Sequence, residues 1–171
     1  MQGFVQVYTG DGKGKTTAAL GLAIRAAGAG LKAYIGQFIK NADYSEITML
    51  QRLAESITLE QFGRGCCLVT EPCQADIDGA RRALAEIGRV LSSGAYDLVI
   101  ADEVNVAVAL QLISEKDLLA LIDCRPPQVE LVLTGRGAPP LVVERADLVT
   151  EMRSVKHYYD QGILARKGIE G

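Results

Sequence analysis

The sequence predicts an α/β fold in which a mostly parallel β-sheet carries helices on both faces. Two observations predict it: strand-like and helix-like segments alternate along the chain, and the run at residues 98–101 is apolar throughout. Such alternation is typical of parallel sheets, and a continuously apolar strand is typical of a sheet covered on both sides. At 171 residues we expect one domain, residues 1–171, with an irregular C-terminal tail from about residue 155.

The individual elements follow from apolar periodicity and from glycine and proline stops. Strands are predicted at residues 4–8, 32–38, 57–62, 98–101, 130–134 and 147–150. Helices are predicted at residues 16–29, 45–55 and 74–92, and another begins at the capping sequence of residues 114–117. The pair Pro126-Pro127 ends that last helix.

Composition argues against several classes of protein. The net charge of −3 and the pI of about 5.2 leave no basic face for a nucleic-acid partner. No apolar run approaches the ~20 residues that span a bilayer, and the first strand leaves no room for a signal peptide. We therefore expect a cytoplasmic protein with no membrane association. The 4 cysteines contain no C-x-x-C pair, which favours reduced structural thiols.

The segment TGDGKGKTT, residues 9–17, follows the first strand and opens the first helix. Backbone N–H groups of such a loop can hold phosphate oxygens, Lys15 would neutralise their charge, and the Thr16 hydroxyl would ligate Mg²⁺. The usual pattern G-x-x-x-x-G-K-[ST] places Thr9 at its first glycine, while Gly10 gives a loop one residue shorter. The alternative is that the glycines only form a tight turn, but a tight turn does not explain why the loop contains Lys13 and Lys15. The fold is therefore predicted to be P-loop NTPase-like.

Two further strand ends carry polar groups at the same predicted edge of the sheet. Asp102 and Glu103 follow the apolar strand, and either carboxylate could hold Mg²⁺, directly or through water. Arg136 lies in a Gly-Arg-Gly turn, where it either reaches a phosphate or remains a solvated loop residue. For His157, the only histidine, we expect a packing or capping role. No nucleophile is visibly paired with a base.

Five segments, read together, resemble one family: TGDGKGKTTAALG, GQFIK, ADEVN, LVLTGRGAP and ADLVTEMRSVKHYYDQG with ARKGIE. In this order, over nearly the whole chain, they resemble the P-loop ATP:corrinoid adenosyltransferases, also called cob(I)yrinic acid a,c-diamide adenosyltransferases. The resemblance implies transfer of the 5′-deoxyadenosyl group of ATP to Co(I) of a reduced corrinoid, with release of triphosphate, in adenosylcobalamin biosynthesis or salvage. Cobalt would be the nucleophile, so the protein would need no general base.

The resemblance also implies roles for individual residues. Lys15, Thr16 and Glu103 would be catalytic, and Mg²⁺ would be held by Thr16 with Glu103 or Asp102, of which the resemblance favours Glu103. In this family the triphosphate sits in the reverse sense along the loop, so the 5′ carbon faces the corrinoid. The implied ATP contacts are Thr9, Gly10, Asp11, Gly12, Lys13, Gly14, Lys15, Thr16, Thr17 and Arg136.

The segment expected to contact the corrinoid, residues 62–67, departs from the family pattern. Some members carry a Gly-Phe-Thr-Trp-like segment near the place where this chain reads Phe62-Gly63-Arg64-Gly65-Cys66-Cys67, and this chain has 0 tryptophans. We therefore expect the corrinoid face to be built from Phe62, Cys66, Cys67 and Leu68. The resemblance further implies a homodimer and an electron donor such as a reduced flavoprotein.

Two other functions also fit a phosphate loop beside an acidic strand end. A P-loop NTPase or small-molecule kinase would cleave ATP at the γ-phosphate, and a non-catalytic regulator would bind nucleotide or corrinoid without turnover. Partitioning ATPases usually have an additional lysine where this chain has Gly10, and nucleotide kinases usually carry an arginine-rich lid that is not visible here.

Overall fold

The computed structural model describes residues 2–65 and 72–170 of the chain. Within these residues the strands are β1 Val5–Thr9, β2 Ala33–Gln37, β3 Ile57–Gln61, β4 Leu98–Asp102, β5 Glu130–Thr134 and β6 Leu148–Glu151. The helices are α1 Lys15–Gly28, α2 Ser45–Gln51, α3 Gln74–Ser92, α4 Val104–Ala109, α5 Glu115–Asp123 and α6 Pro140–Arg145, followed by a 3₁₀ helix, Tyr158–Gln161. The strands form one 6-stranded sheet in the order β3-β2-β4-β5-β1-β6.

Helices cover both faces of the sheet, as the apolar strands predict. Neighbouring residues of a strand point to opposite faces, so Ile35 and Ile100 belong to the core under α1 while Tyr34 and Val99 belong to the core under α3. All five residues of β2 and of β4 are buried. Each fully buried aliphatic side chain contributes about 1.5–3 kcal/mol to folding. The prediction of an α/β fold with two helical layers is confirmed.

Every pair of neighbouring strands is parallel, so all the carboxyl ends meet at one edge of the sheet. The register places Gln37 of β2 opposite Asp102 of β4, and Tyr8 of β1 opposite Thr134 of β5. The three loops predicted to carry chemistry therefore emerge side by side. Ligands of open parallel sheets bind at this edge.

Two helices lie where the sequence predicts none. α4 contains three valines in its sequence VNVAVA, and β-branched residues are poor helix formers. Burial of Val104, Asn105 and Ala107 stabilises it nonetheless. α6 begins with Pro140, a favourable first residue because that position needs no N–H donor. The helix predicted at residues 45–55 ends earlier, at Gln51.

The segment after β6 contains one 3₁₀ helix in the part of the tail that the structure describes. His157 caps it, since its Nδ1 accepts a hydrogen bond from the Tyr159 N–H at 3.1 Å, which is the capping role expected of this histidine. Across residues 2–65 and 72–170, no helix combines the length and the apolar character that crossing a membrane would require.

Gly63 offers a test of the packing next to the site. A Cβ atom at this position would lie 1.8 Å from the Ile39 carbonyl oxygen, whereas a Cβ atom at Gly65 would have no neighbour within 4 Å among the described residues. We expect Gly63→Ala to lower the free energy of unfolding by about 1–3 kcal/mol, the usual cost of overpacking. Gly65→Ala, in the same loop, is the matched control and should be close to wild type. Urea unfolding of both variants measures the difference, and equal stabilities would contradict the described packing.

Candidate active site

The loop between β1 and α1 is shaped by its glycines. Gly10 and Gly14 have φ of 91° and 120°, in a region that residues with a Cβ atom avoid. The Gly12 N–H donates to the Met152 carbonyl oxygen at 2.7 Å, and a Cβ atom at Gly12 would lie 2.7 Å from that same oxygen. Close packing against the segment after β6 therefore requires a glycine at position 12, independently of the predicted contact of Gly12 with phosphate.

Thr9 stands where the usual pattern has its first glycine. Its hydroxyl accepts a hydrogen bond from the Ala138 N–H at 3.2 Å, and its carbonyl oxygen accepts one from the Met152 N–H at 2.8 Å. Thr9 thus joins the phosphate loop to the loop after β5 and to the segment after β6. The turn itself begins one residue later, at Gly10, which accounts for the shortened spacing.

Lys15 is the first residue of α1 and is 8 % exposed. Its ammonium donates to the carbonyl oxygens of Gly10 and Gly12 at 2.6 and 2.8 Å, so the positive charge lies inside the loop. Burial lowers the pKa of Lys15, and the nearby Glu103 carboxylate opposes that shift. The first turn of α1 has no acidic residue, so the partial positive charge of the helix N-terminus is available to an anion.

Asp102, the last residue of β4, is 1 % exposed and lies at the centre of the site. Its Oδ1 accepts hydrogen bonds from the Thr16 hydroxyl at 2.9 Å and the Thr134 hydroxyl at 2.7 Å. Its Oδ2 accepts from the Gln37 amide and the Lys40 ammonium, both at 2.9 Å. This carboxylate therefore connects β4 to α1, to β5 and to the end of β2.

Glu103 differs from Asp102 in orientation and in exposure. Its φ of 63° is unusual for a residue with a side chain, and its N–H donates to the Thr134 hydroxyl at 2.9 Å. The carboxylate is 22 % exposed, with Oε1 4.0 Å from the Lys40 ammonium. Burial, followed by repulsion from Asp102, raises the pKa of Glu103. Glu103 is therefore the more accessible of the two acids.

Sequence reasoning missed Gln37 and Lys40, although both lie in the GQFIK segment. Gln37 is fully buried, and its Oε1 accepts a hydrogen bond from the Gln61 amide at 2.9 Å. The Lys40 ammonium donates to the Thr16 hydroxyl at 2.9 Å as well as to Asp102. Polar residues that close a fully buried strand, at the edge where the phosphate loop emerges, are the signal that could have found them.

A cavity of about 670 Å³ opens beside the phosphate loop, a volume within the range of small-molecule sites. The predicted residues 13–17 line it together with Lys40. Other parts of its wall are apolar, formed by Leu20, Ile24, Met49 and Ile169. The cavity therefore combines a cationic, phosphate-loop wall with apolar surface, as a nucleotide requires.

The C-terminal tail reaches back to the phosphate loop. The Lys13 ammonium donates to the Ile169 carbonyl oxygen at 2.5 Å and lies 3.6 Å from the Glu170 carboxylate. Glu170 is held in turn by hydrogen bonds from Tyr158 and Arg166. Lys13, a predicted ATP contact, is thus bound to the tail in this structure.

Arg136 and Asp11 face each other at the mouth of the loop. The Arg136 Nε lies 4.0 Å from the Asp11 Oδ1, and the two side chains are 67 % and 86 % exposed. Exposed pairs of this kind are weak, so either side chain can turn to a ligand.

Asn105 lies behind this pair and is fully buried, with its amide 3.4 Å from the Gly135 carbonyl oxygen. Its Oδ1 has no partner among the residues that the structure describes.

The residues predicted for the corrinoid face fall only partly within the described structure. Phe62 follows β3, packs partly against the hydrophobic core, and donates its N–H to the Gln37 carbonyl oxygen at 2.9 Å. It therefore lies at the same edge of the sheet as the Asp102 cluster. Cys66, Cys67 and Leu68 lie outside the described residues. Of the remaining cysteines, Cys73 and Cys124 are free thiols.

The oxygen atoms of Thr16, Asp102 and Glu103 suit Mg²⁺, a hard cation that prefers hydroxyl, carboxylate and water ligands. No group of 3 or more His, Cys, Asp or Glu side chains that could hold a metal occurs within residues 2–65 and 72–170. A magnesium ion at this edge would thus rely on one or two carboxylates, with phosphate and water completing its shell. That is the usual arrangement for Mg²⁺ bound with a nucleotide.

These features define the class: an α/β protein with a phosphate-binding loop beside a strand-terminal carboxylate. Its fold resembles the crystal structure of a KaiC-like protein from Pyrococcus horikoshii, with a TM-score of 0.60 at 17 % identity, covering 91 % of this chain and 74 % of that one. A model of the family ATP:corrinoid adenosyltransferase BtuR/CobO/CobP matches residues 1–171. The chain therefore belongs to the ATP:corrinoid adenosyltransferase family.

Relatives of known name agree with this membership. The chain is 38 % identical to the corrinoid adenosyltransferase of Pseudomonas aeruginosa, over 99 % of this chain and 84 % of that protein. It is 34 % identical to that of Escherichia coli K12 and 32 % identical to that of Salmonella typhimurium, each over 99 % of this chain and 86 % of the relative. The protein is an enzyme that transfers an adenosyl group from ATP to a corrinoid. An NTPase, a kinase or a non-catalytic regulator is not favoured.

Glu103 gives the site a dependence on pH in the absence of ligand. Because its pKa is raised on folding, the folded protein holds this proton more tightly than the unfolded chain does. Ionisation of Glu103 therefore costs stability as the pH rises above the ordinary glutamate pKa. We expect Glu103→Gln to be more stable than wild type at about pH 8, with a smaller gain at about pH 5.

Urea unfolding in EDTA, without nucleotide, measures this effect. Glu55→Gln is the control, since Glu55 is exposed on the surface, and it should follow the wild-type profile. If the stability of Glu103→Gln relative to wild type is the same at both pH values, burial does not disfavour the ionised carboxylate of Glu103.

Proposed function

We propose that the chain transfers the 5′-deoxyadenosyl group of ATP to Co(I) of a reduced corrinoid and releases inorganic triphosphate. One observation carries the proposal: positive charge and metal-binding oxygens are concentrated at the phosphate loop, with no nucleophile–base pair beside them in the described residues. Lys15 lies within the loop and Lys40 lies 2.9 Å from both Thr16 and Asp102. Such a site is suited to a departing polyphosphate.

The proposed reaction needs no proton transfer. Co(I) supplies the electron pair of the new cobalt–carbon bond, the bond between C5′ and O5′ breaks, and its electron pair leaves with the triphosphate. The protein has two tasks, to hold C5′ in line with cobalt and to stabilise the charge that develops on the leaving group. Both tasks fall to fixed donors rather than to a base.

Lys15 and the amide groups of the loop perform the charge stabilisation in this proposal. The Lys15 ammonium now donates to the carbonyl oxygens of Gly10 and Gly12, and triphosphate oxygens would replace those acceptors. Residues 10–14 and Thr17 complete the cradle. Lys13 joins them only by releasing the Ile169 carbonyl oxygen that it now contacts.

We assign the Mg²⁺ position to Thr16 together with the two acids after β4. When bound, Mg²⁺ would neutralise negative charge on the triphosphate. Both oxygens of Asp102 already accept hydrogen bonds, whereas the Glu103 carboxylate is partly exposed and lies 4.0 Å from the Lys40 ammonium. Glu103 is therefore the direct ligand in our proposal, with Asp102 orienting Thr16.

Arg136 supplies a second, mobile positive charge in this proposal. It is mostly exposed at the mouth of the loop, and its contact with Asp11 is a long surface pair. A triphosphate carries far more charge than one carboxylate, so Arg136 would turn from Asp11 to the leaving group. Asn105, behind the Gly135 turn, would support the backbone that carries Arg136.

We place the corrinoid over the segment that follows β3, with Phe62 and Cys66 on its face. The proposed reversed seating of the triphosphate would turn C5′ toward this segment. Phe62 supports it, since its N–H is hydrogen-bonded to Gln37, whose side chain belongs to the Asp102 cluster.

The proposed reaction needs an electron donor besides ATP and the corrinoid. Co(I) must be generated by an external reductant, and we propose a reduced flavoprotein as that donor. We also propose that residues 1–171 form a single domain and that the enzyme works in the cytoplasm as a homodimer, without a nucleic-acid partner. The net charge of −3 supports this last point.

Product analysis tests the proposed reaction directly. The protein is incubated with Mg-ATP and a chemically reduced corrinoid under anaerobic conditions, and phosphates and corrinoid spectra are followed together. We expect inorganic triphosphate and an adenosylcorrinoid in equal amounts. ADP as the product would point instead to an NTPase or kinase, and nucleotide binding without any product would point to a regulator.

Substitution of Lys15 tests the role of the loop. Lys15→Ala removes the charge that would balance the leaving triphosphate, and we expect turnover to fall by about 10²–10³-fold or more. Lys32→Ala removes the same charge from an exposed position before β2 and should leave turnover near wild type. Initial rates with pre-reduced corrinoid separate the two variants. Near-normal turnover of Lys15→Ala would mean that the loop does not hold the triphosphate.

A further inference from the structure

The Lys40 ammonium occupies the position where the proposed function requires a metal ion. It lies 2.9 Å from the Thr16 Oγ1, 2.9 Å from the Asp102 Oδ2 and 4.0 Å from the Glu103 Oε1. Thr16 and Glu103 are the proposed metal ligands, and Asp102 orients Thr16. The Lys40 ammonium, a cation of the protein itself, therefore lies between Thr16, Asp102 and Glu103.

Lys40 contacts the same oxygen atoms that a metal ion would contact. The Thr16 hydroxyl donates its hydrogen to the Asp102 Oδ1 and accepts a hydrogen bond from Lys40. A metal on Thr16 would lie beside the same oxygen that Lys40 now contacts, while the bond from Thr16 to Asp102 can remain. Mg²⁺ lies only about 2.1 Å from its ligands, and two positive charges at such close quarters repel strongly. Lys40 and the metal must therefore exclude each other.

The Lys40 side chain borders a cavity into which its ammonium can move. Its side chain is 14 % exposed and forms part of the wall of the cavity beside the phosphate loop. A lysine has a flexible four-carbon stem, so its ammonium can move from the acids into the cavity without any change in the backbone. Triphosphate oxygens in that cavity would be its new partners.

We propose that Lys40 is an exchangeable counter-ion for the metal site. In the nucleotide-free protein its ammonium pairs with Asp102 and lies near Glu103, and it moves onto the triphosphate when metal and nucleotide arrive together. Free divalent cations therefore bind poorly to the empty enzyme, and metal binding is coupled to ATP binding. The inference rests on the proposed function for the position of the metal and for the triphosphate.

Binding of Mn²⁺ to nucleotide-free protein tests the exchange. Free Mn²⁺ is measured by electron paramagnetic resonance with wild type, Lys40→Gln and the control Lys32→Gln, which loses the same charge before β2. Glutamine at position 40 keeps a hydrogen-bond donor for Asp102 but no charge. We expect Lys40→Gln to bind Mn²⁺ at least about tenfold more tightly than wild type. Lys32→Gln should bind Mn²⁺ as weakly as wild type.

Two further variants complete the test. Lys40→Met is a second neutral variant and should gain Mn²⁺ affinity as Lys40→Gln does, while Lys40→Arg keeps the charge and should bind weakly. Thermal unfolding without nucleotide gives an independent readout: Mg²⁺ should raise the melting temperature of the neutral variants more than that of wild type, measured against EDTA.

Three results would overturn the inference. The first is a folded neutral variant with wild-type Mn²⁺ affinity, and the second is tight Mn²⁺ binding by the nucleotide-free wild type. The third is failure of both neutral variants to fold even in Mg²⁺, since Lys40 would then be a structural cation that no metal replaces. Product analysis of wild type keeps the two proposals apart: triphosphate with unchanged Mn²⁺ affinity defeats the counter-ion alone, and ADP with a gain in Mn²⁺ affinity defeats only the proposed reaction.

Discussion

The architecture of this site depends on one buried carboxylate, that of Asp102. A carboxylate withdrawn from water is costly unless its oxygens find donors, and here four side chains provide them: Thr16, Gln37, Lys40 and Thr134. They come from α1, from β5 and from the end of β2. Because each must lie within about 3 Å of the same group, this requirement holds the phosphate-loop helix in place against three strands.

The phosphate loop is restrained from its outer side as well. Thr9 ties its beginning to the loop after β5, and Gly12 packs on the Met152 carbonyl oxygen. Lys13 then contacts the tail, and Lys15 fills the interior by donating to two loop carbonyl oxygens. The loop is therefore shaped before any phosphate arrives. Thr9, which stands in the place of the usual first glycine, accepts the Ala138 hydrogen bond with its side chain.

The fold and half of the candidate site could be predicted because they depend on local pattern. Alternating apolar segments give the layers, and a glycine loop or an acidic pair after a strand is visible in the sequence. Local pattern marks Gln37 and Lys40 at most as polar residues at the end of a buried strand, since their relation to Asp102 depends on β2 lying beside β4 in the sheet. α4 escaped prediction for a related reason, because burial against the sheet outweighs the poor helix propensity of its valines.

The hydrogen bonds of Asp102 also determine where a metal can enter. An ionised carboxylate offers about four lone-pair positions, and the four donors use them. Gln37 and Thr134 are fully buried strand residues, and Thr16 is fixed on α1, so none of these can leave without disturbing the fold. Lys40 alone among the four has a flexible stem and a cavity beside it. The fold thus makes the release of Lys40 the least disruptive way to admit a metal beside Thr16, where Glu103 is the proposed direct ligand.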